Sequence, residues 1–128
     1  MSQLIHETGN LTSWWSQRPR RNPAGIGVNG QQGVGLSFPT WKDDAIPAHI
    51  GRLLAYAITD GQATPRQRGL IAMALHWRPL PAKARGSAPA LKALGRAHNP
   101  SGAGWASPGE QYGAQIAKIA HAIQQQPA

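Results

Sequence analysis

The chain has 128 residues, with 13 Lys and Arg against 5 Asp and Glu, a formal charge of +8 and no cysteine. That length suits one domain with a modest core and is too short for two, and the lack of thiols excludes disulfides and thiolate chemistry. The charge draws the chain toward anionic matter, whether nucleic acid, anionic lipid or a bacterial wall, without choosing among them.

Met1 to Glu7 reads as a short helix with Leu4 and Ile5 as its apolar face and Gly9 as its stop. These first residues do not begin a signal peptide, so action in the periplasm or outside the cell requires another export route. The apolar runs fall far short of the ~20 residues of a membrane span. Thr12 or Ser13 caps a single turn through Trp14 and Trp15. Residues 18 to 23 combine Arg18, Arg20 and Arg21 with two prolines, which predicts an irregular exposed loop. From Ala24 to Phe38, Ile26 and Val28, then Val34, Leu36 and Phe38, alternate at period 2 about an Asn29-Gly30 turn. This is the pattern of a small glycine-rich β-hairpin.

Thr40 is an N-cap with Asp43 at the third helical position, and Ile50, Leu53, Leu54 and Ala57 share one face of a helix running to about Ile58. Pro47 either kinks that helix or marks its true start. Thr64-Pro65-Arg66-Gln67 is a capping box, Leu70, Ile71, Ala74 and Leu75 continue its helix, and Arg78 to Pro81 ends it. Ala88 to His98 predicts a further short helix, followed by an Asn99-Pro100-Ser101-Gly102 loop. Ser107-Pro108-Gly109-Glu110 is a second capping box, and Tyr112, Ile116, Ile119, Ala120 and Ile123 form an amphipathic stripe before a frayed tail from Gln124.

The chemistry concentrates at the front. Glu7 stands at the end of the first apolar segment, ahead of Gly9, Trp14 and Trp15. Glycosidic cleavage needs a protonated carboxyl group beside the leaving oxygen, and apolar walls raise a carboxyl pKa toward neutrality by disfavouring its charged form. Tryptophans supply such walls and stack on sugar faces, so Trp14, Trp15, Trp41 and Trp105 are candidate sugar contacts, with core packing as the alternative; Trp77 is assigned to the core. The remaining carboxylates have structural explanations: Asp43 and Asp44 start a helix, Asp60 sits in the Asp60-Gly61 turn, and Glu110 belongs to a capping box. Asp43 or Asp44 serves as a base only if the helix start faces the cleft. His6-Glu7 lacks the second histidine of a zinc helix, because Asn10 holds its place, and His49 reads as a core residue. Gly25-x-Gly27-x-x-Gly30 leads into Gln31-Gln32-Gly33 instead of a helix, so it is no dinucleotide loop. No cofactor is expected.

Glu7-Thr8-Gly9, Ser13 and Asn22-Pro23-Ala24-Gly25-Ile26 resemble the catalytic stretch of the bacterial glucosaminidases, lysozyme-like endo-β-N-acetylglucosaminidases that cut peptidoglycan. Phe38-Pro39-Thr40-Trp41 with Ala48-His49 and Leu53-Leu54, and Trp105-Ala106 with Tyr112-Gly113, resemble later blocks of related hydrolases in the same order. The sequence departs from that pattern in a short front helix, in Ser107-Pro108-Gly109 at the closing motif, and in the lack of any Asp or Glu from Ala24 to Thr40.

The resemblance implies one mainly α, lysozyme-like domain over residues 1–128 with a small β-hairpin lobe and a truncated front helix. It implies cleavage of β-1,4 bonds in a polysaccharide, peptidoglycan first, with Glu7 as general acid. Tyr112 then points into the cleft, although its place at the head of the last apolar stripe suits a core residue equally. With no acid in the lobe, the substrate's acetamido group, or a water positioned by Asn22 or Tyr112, takes the second role. The alternatives are a hydrolase of a neutral glycan such as cellulose, chitin or starch, and a non-catalytic module binding glycan or nucleic acid; on the main reading nucleic acid is not a partner. Leu4 and Ile5 need cover, either from the last helix or from a second chain, and the expectation is a homodimer.

Overall fold

The computed structural model describes residues 3, 13–28, 35–102, 104–105 and 111–125. Its α-helices among those residues are α1 (Ile46–Ala57), α2 (Pro65–Trp77) and α3 (Tyr112–Gln124), and no strand occurs among them. The protein is therefore mainly helical. No helix among the described residues is long and apolar enough to cross a membrane.

Pro47 determines how α1 begins. Proline has no N–H to give, and its ring collides with the carbonyl four residues back in a regular helix. The chain instead enters through a wide turn over Trp41–Ala45, in which the Ile46 N–H donates to the Trp41 carbonyl. Thr40 caps this turn as its sequence position suggests: its hydroxyl accepts from the Asp43 N–H at 3.2 Å and donates to the Asp44 carboxylate at 2.7 Å. The helix expected from Thr40 thus becomes regular only at Ile46, and Ile58 is already extended.

At α2 the expected capping box is complete. The Gln67 N–H donates to the Thr64 hydroxyl at 3.2 Å, the Thr64 N–H donates to the Gln67 side chain at 2.8 Å, and Pro65 occupies the first turn, where its missing N–H costs nothing. α1 and α2 touch at backbone distance, because a Cβ added to Gly51 would lie 2.1 Å from the Leu70 carbonyl oxygen. Ala55, Ala63 and Ile71 are buried between them, with Leu54, Ile58, Leu75 and Leu80 around the edge.

Arg78 ends α2 as expected, but residues 88 to 98 differ from expectation. In place of one helix over Ala88 to His98 there are two single turns, Leu91–Leu94 and Arg96–His98, separated by extended Gly95. Long-range partners hold this stretch: the Gly86 N–H donates to the Ala55 carbonyl at 3.0 Å, the Ala88 N–H to Tyr56 at 2.8 Å, and the Trp105 N–H to Leu94 at 2.9 Å. Buried Asn99 adds bonds to the Ser87 hydroxyl at 3.0 Å and the Ala93 carbonyl at 2.8 Å. α3 then lies on the Leu91–Leu94 turn, so closely that a Cβ on Gly113 would come within 2.2 Å of the Leu91 and Lys92 carbonyl oxygens. The Ser107 to Glu110 box lies outside the described residues, as do Leu4 and Ile5, on which the dimer expectation rests.

The described parts of the expected hairpin are irregular. Leu36 N–H donates to the Ile26 carbonyl at 3.2 Å, but the Asn22 side-chain amide donates to the Ile26 and Leu36 carbonyls at 2.8 and 2.9 Å, occupying acceptors that a strand ladder would use. Gly25 and Gly27, at φ of 63° and 76°, turn the chain where a strand would continue. The Asn29-Gly30 turn lies outside the described residues. Ala24, Ile26, Phe38, Ala45 and Ala48 nonetheless form a buried cluster, flanked by Leu36, Trp41, Trp77 and Trp105.

Candidate functional site

Helical spacing gathers the polar and aromatic residues of α1. His49, Arg52, Leu53 and Tyr56 recur at intervals of three and four and therefore share a face. Trp105 stands against that face, its ring centroid 5.8 Å from His49 and 5.6 Å from Tyr56. It flanks two apolar clusters, the one around Ala24 and Phe38 and the one around Tyr56, Ala84, Ala88, Leu94, Tyr112 and Ile116. Its indole N–H donates to the Ala24 carbonyl at 3.3 Å, which ties the arginine-rich loop to α1.

Arg52 lies over the same aromatic faces, 5.9 Å from the Tyr56 centroid and 5.8 Å from that of Trp105, while its Nη1 donates to the Arg78 carbonyl at 3.0 Å. Burial lowers the Arg52 pKa from its ordinary value and raises that of Tyr56. The Tyr56 hydroxyl donates to the Gly104 carbonyl at 3.2 Å.

A second polar line runs through the buried interior. Gln3, in helical backbone, donates its amide N–H to the Tyr112 hydroxyl at 3.1 Å, and its carbonyl lies 2.8 Å from His49 Nε2. With the amide nitrogen spent on Tyr112, the carbonyl is left to accept, so His49 carries its hydrogen on Nε2. Burial pushes the His49 pKa from 6.5 down to about 4, which keeps the ring neutral at ordinary pH.

The residues singled out by sequence fall into three groups. Tyr112 and Trp105 join Tyr56, His49, Arg52 and Gln3 in the assembly above. Asn22, 1% exposed, holds the loop together: besides its two amide bonds, its oxygen accepts from the Ile26 N–H at 2.9 Å. Trp41 is half-buried against the cluster around Phe38, and Trp15 packs on Gly35, where an added Cβ would meet the indole at 2.6 Å. Trp14 is 55% exposed under the Arg20 guanidinium. Glu7 lies outside the described residues. Asp44 is engaged by the Thr40 N–H and hydroxyl at 3.0 and 2.7 Å, and Asp43 is exposed at the same turn. Sequence reasoning missed Gln3 and Arg52; for Arg52 the available signal was its position between His49 and Tyr56 on one helix face.

No family model matches the chain, and neither a characterised protein nor a solved structure matches it.

Proposed function

We propose that this chain is a lysozyme-like glycoside hydrolase that cleaves β-1,4 bonds of a polysaccharide, peptidoglycan first, with a small lobe over Ala24 to Phe38 and Glu7 as the proton donor. The observation that supports this reading is the pair of hydrogen bonds that joins Gln3 to Tyr112 and His49, at 3.1 and 2.8 Å. Gln3, four positions before Glu7 in the sequence, is itself fastened to the tyrosine and to the histidine beside Trp105.

Glu7 gives its proton to the leaving glycosidic oxygen as the C–O bond breaks, and positive charge develops at the anomeric carbon. The substrate's acetamido oxygen, or a water held by Tyr112, meets that charge. The hydroxyl of Tyr112 is fixed in place by the bond it accepts from Gln3. Asn22 acts through the loop it holds, since three backbone groups occupy its amide. Purified peptidoglycan, chitin and a neutral glucan, each incubated with the protein and followed by identification of the new reducing-end sugar, test the reading. The expected product is a muropeptide with a new reducing end, and intact polymers in all three incubations would reject it.

A further inference from the structure

The loop before Asn22 carries an aromatic and a cationic group placed for a ligand. Ser13 caps the Trp14–Ser16 turn by accepting from the Ser16 N–H at 3.3 Å, so the indole of Trp14 leaves the chain from a fixed point. Arg20 returns over it, with its guanidinium carbon 3.6 Å from the Trp14 ring centroid and its Nε–H given to the Trp14 carbonyl. The backbone on either side is anchored as well: the Asn22 N–H donates to the Trp15 carbonyl at 2.7 Å, and the Phe38 N–H to the Arg20 carbonyl at 2.8 Å.

One face of the indole is thus covered by Arg20, and the Trp15 ring stands perpendicular to it with centroids 4.9 Å apart. Trp14 is still 55% exposed, more than any other large hydrophobic among the described residues, so much of its indole is open to solvent. A rigid open indole beside a cation stacked in place is a receptor for a flat apolar face joined to an anion. Stacking orients the guanidinium, and its remaining N–H groups fit the two oxygens of a carboxylate or phosphate. No Asp or Glu occurs from Thr8 to Lys42 to neutralise it from within the segment.

We propose that Trp14 and Arg20 form a binding platform for an acidic sugar, with a pyranose packed on the exposed part of the indole and a carboxylate or phosphate arm reaching to the guanidinium. The choice of a sugar rests on the glycan reading above. The geometry also favours it over a nucleic-acid strand, which needs successive aromatic faces and cations along a groove. Here Trp15 is packed on Gly35, and Arg21 turns back to the Pro19 and Phe38 carbonyls at 3.4 and 3.3 Å, which leaves, among the described residues of this loop, one exposed ring with one stacked cation.

The test is a titration of the full chain in the Glu7→Gln background, following the Trp14 indole N–H resonance, assigned by its loss in Trp14→Phe. The probes are N-acetylglucosaminyl-N-acetylmuramic acid, its neutral counterpart chitobiose, N-acetylglucosamine 6-phosphate and a short single-stranded oligonucleotide. The acidic disaccharide shifts the resonance, Arg20→Gln weakens that binding about ten-fold, and Arg20→Lys, which keeps the charge but not the planar fork, falls between. Chitobiose binds more weakly and is indifferent to Arg20. Arg20-dependent binding that is tighter for the sugar phosphate identifies phosphate as the anion, and the reverse identifies carboxylate. Acidic-disaccharide binding unchanged by Arg20→Gln, chitobiose binding as tight as the acidic sugar, or oligonucleotide binding at Trp14 tighter than both sugars overturns the proposal. Because the titration needs no turnover, a chain that cleaves nothing but shows Arg20-dependent binding keeps the platform and loses the hydrolase reading; cleavage without such binding does the opposite.

Discussion

Gln3 and Tyr112, 109 residues apart in the chain, meet through a 3.1 Å hydrogen bond in a buried setting, and the same Gln3 side chain reaches His49 at 2.8 Å. One amide therefore joins three distant parts of the chain. Gln3→Ala removes an acceptor from His49 and a donor from Tyr112 together, an expected loss of about 1–3 kcal/mol of stability. Tyr112→Phe removes the hydroxyl at the other end. Urea unfolding of the two single variants and the double variant checks the link: the combined cost falls below the sum of the separate costs, whereas strict additivity would mean that the bond does not operate in solution.

His49 makes stability depend on pH. Its pKa is about 4 in the fold against 6.5 when free. Between those values the unfolded chain binds a proton that the folded chain refuses, so stability falls as the pH drops from about 6.5 to about 4, and His49 adds no further loss below that. The whole window is worth about 3 kcal/mol. His49→Asn keeps a polar side chain and removes the titration, so the difference between wild-type and variant unfolding free energies changes across this window. Parallel pH profiles would contradict the assignment.

Two glycines predict opposite outcomes for the same substitution. At Gly51 an added Cβ would sit 2.1 Å from the Leu70 carbonyl oxygen, a backbone group that cannot swing aside, so Gly51→Ala pushes α1 off α2 at a cost of about 1–3 kcal/mol. At Gly69, exposed inside α2, an added Cβ meets nothing within 4 Å. Gly69→Ala there stabilises by about 0.5–1 kcal/mol, because alanine loses less backbone freedom on folding. Thermal unfolding of both variants shows the first transition lowered and the second raised.

The parts of the fold that were legible in the sequence are those decided within one or two turns. The Thr64 box works because Gln67 is three residues away, and the Thr40 cap works for the same reason. The turns over residues 88 to 98 were not legible, because the Ala88 N–H is satisfied by Tyr56 and the Leu94 carbonyl by the Trp105 N–H, partners that no local pattern announces. The candidate site divides in the same way. Aromatic side chains advertise themselves, and Trp105 and Tyr112 were named from sequence. Gln3 was not named, since its significance lies in the separation of 46 residues to His49 and 109 to Tyr112. Asn22 drew attention through a motif, whereas its bond to the Leu36 carbonyl, 14 residues on, is visible only in the fold.

The central claim is that Glu7 supplies the proton for glycosidic cleavage. The most direct measurement compares reducing-end release from purified peptidoglycan by the wild-type chain and by Glu7→Gln, with thermal unfolding recorded for both. The wild type releases muropeptides, and the variant, which keeps the shape of the side chain without its transferable proton, is slower by about 10²–10⁴-fold at an unchanged unfolding temperature. Near-wild-type release by Glu7→Gln, or no release by the wild type, would contradict it.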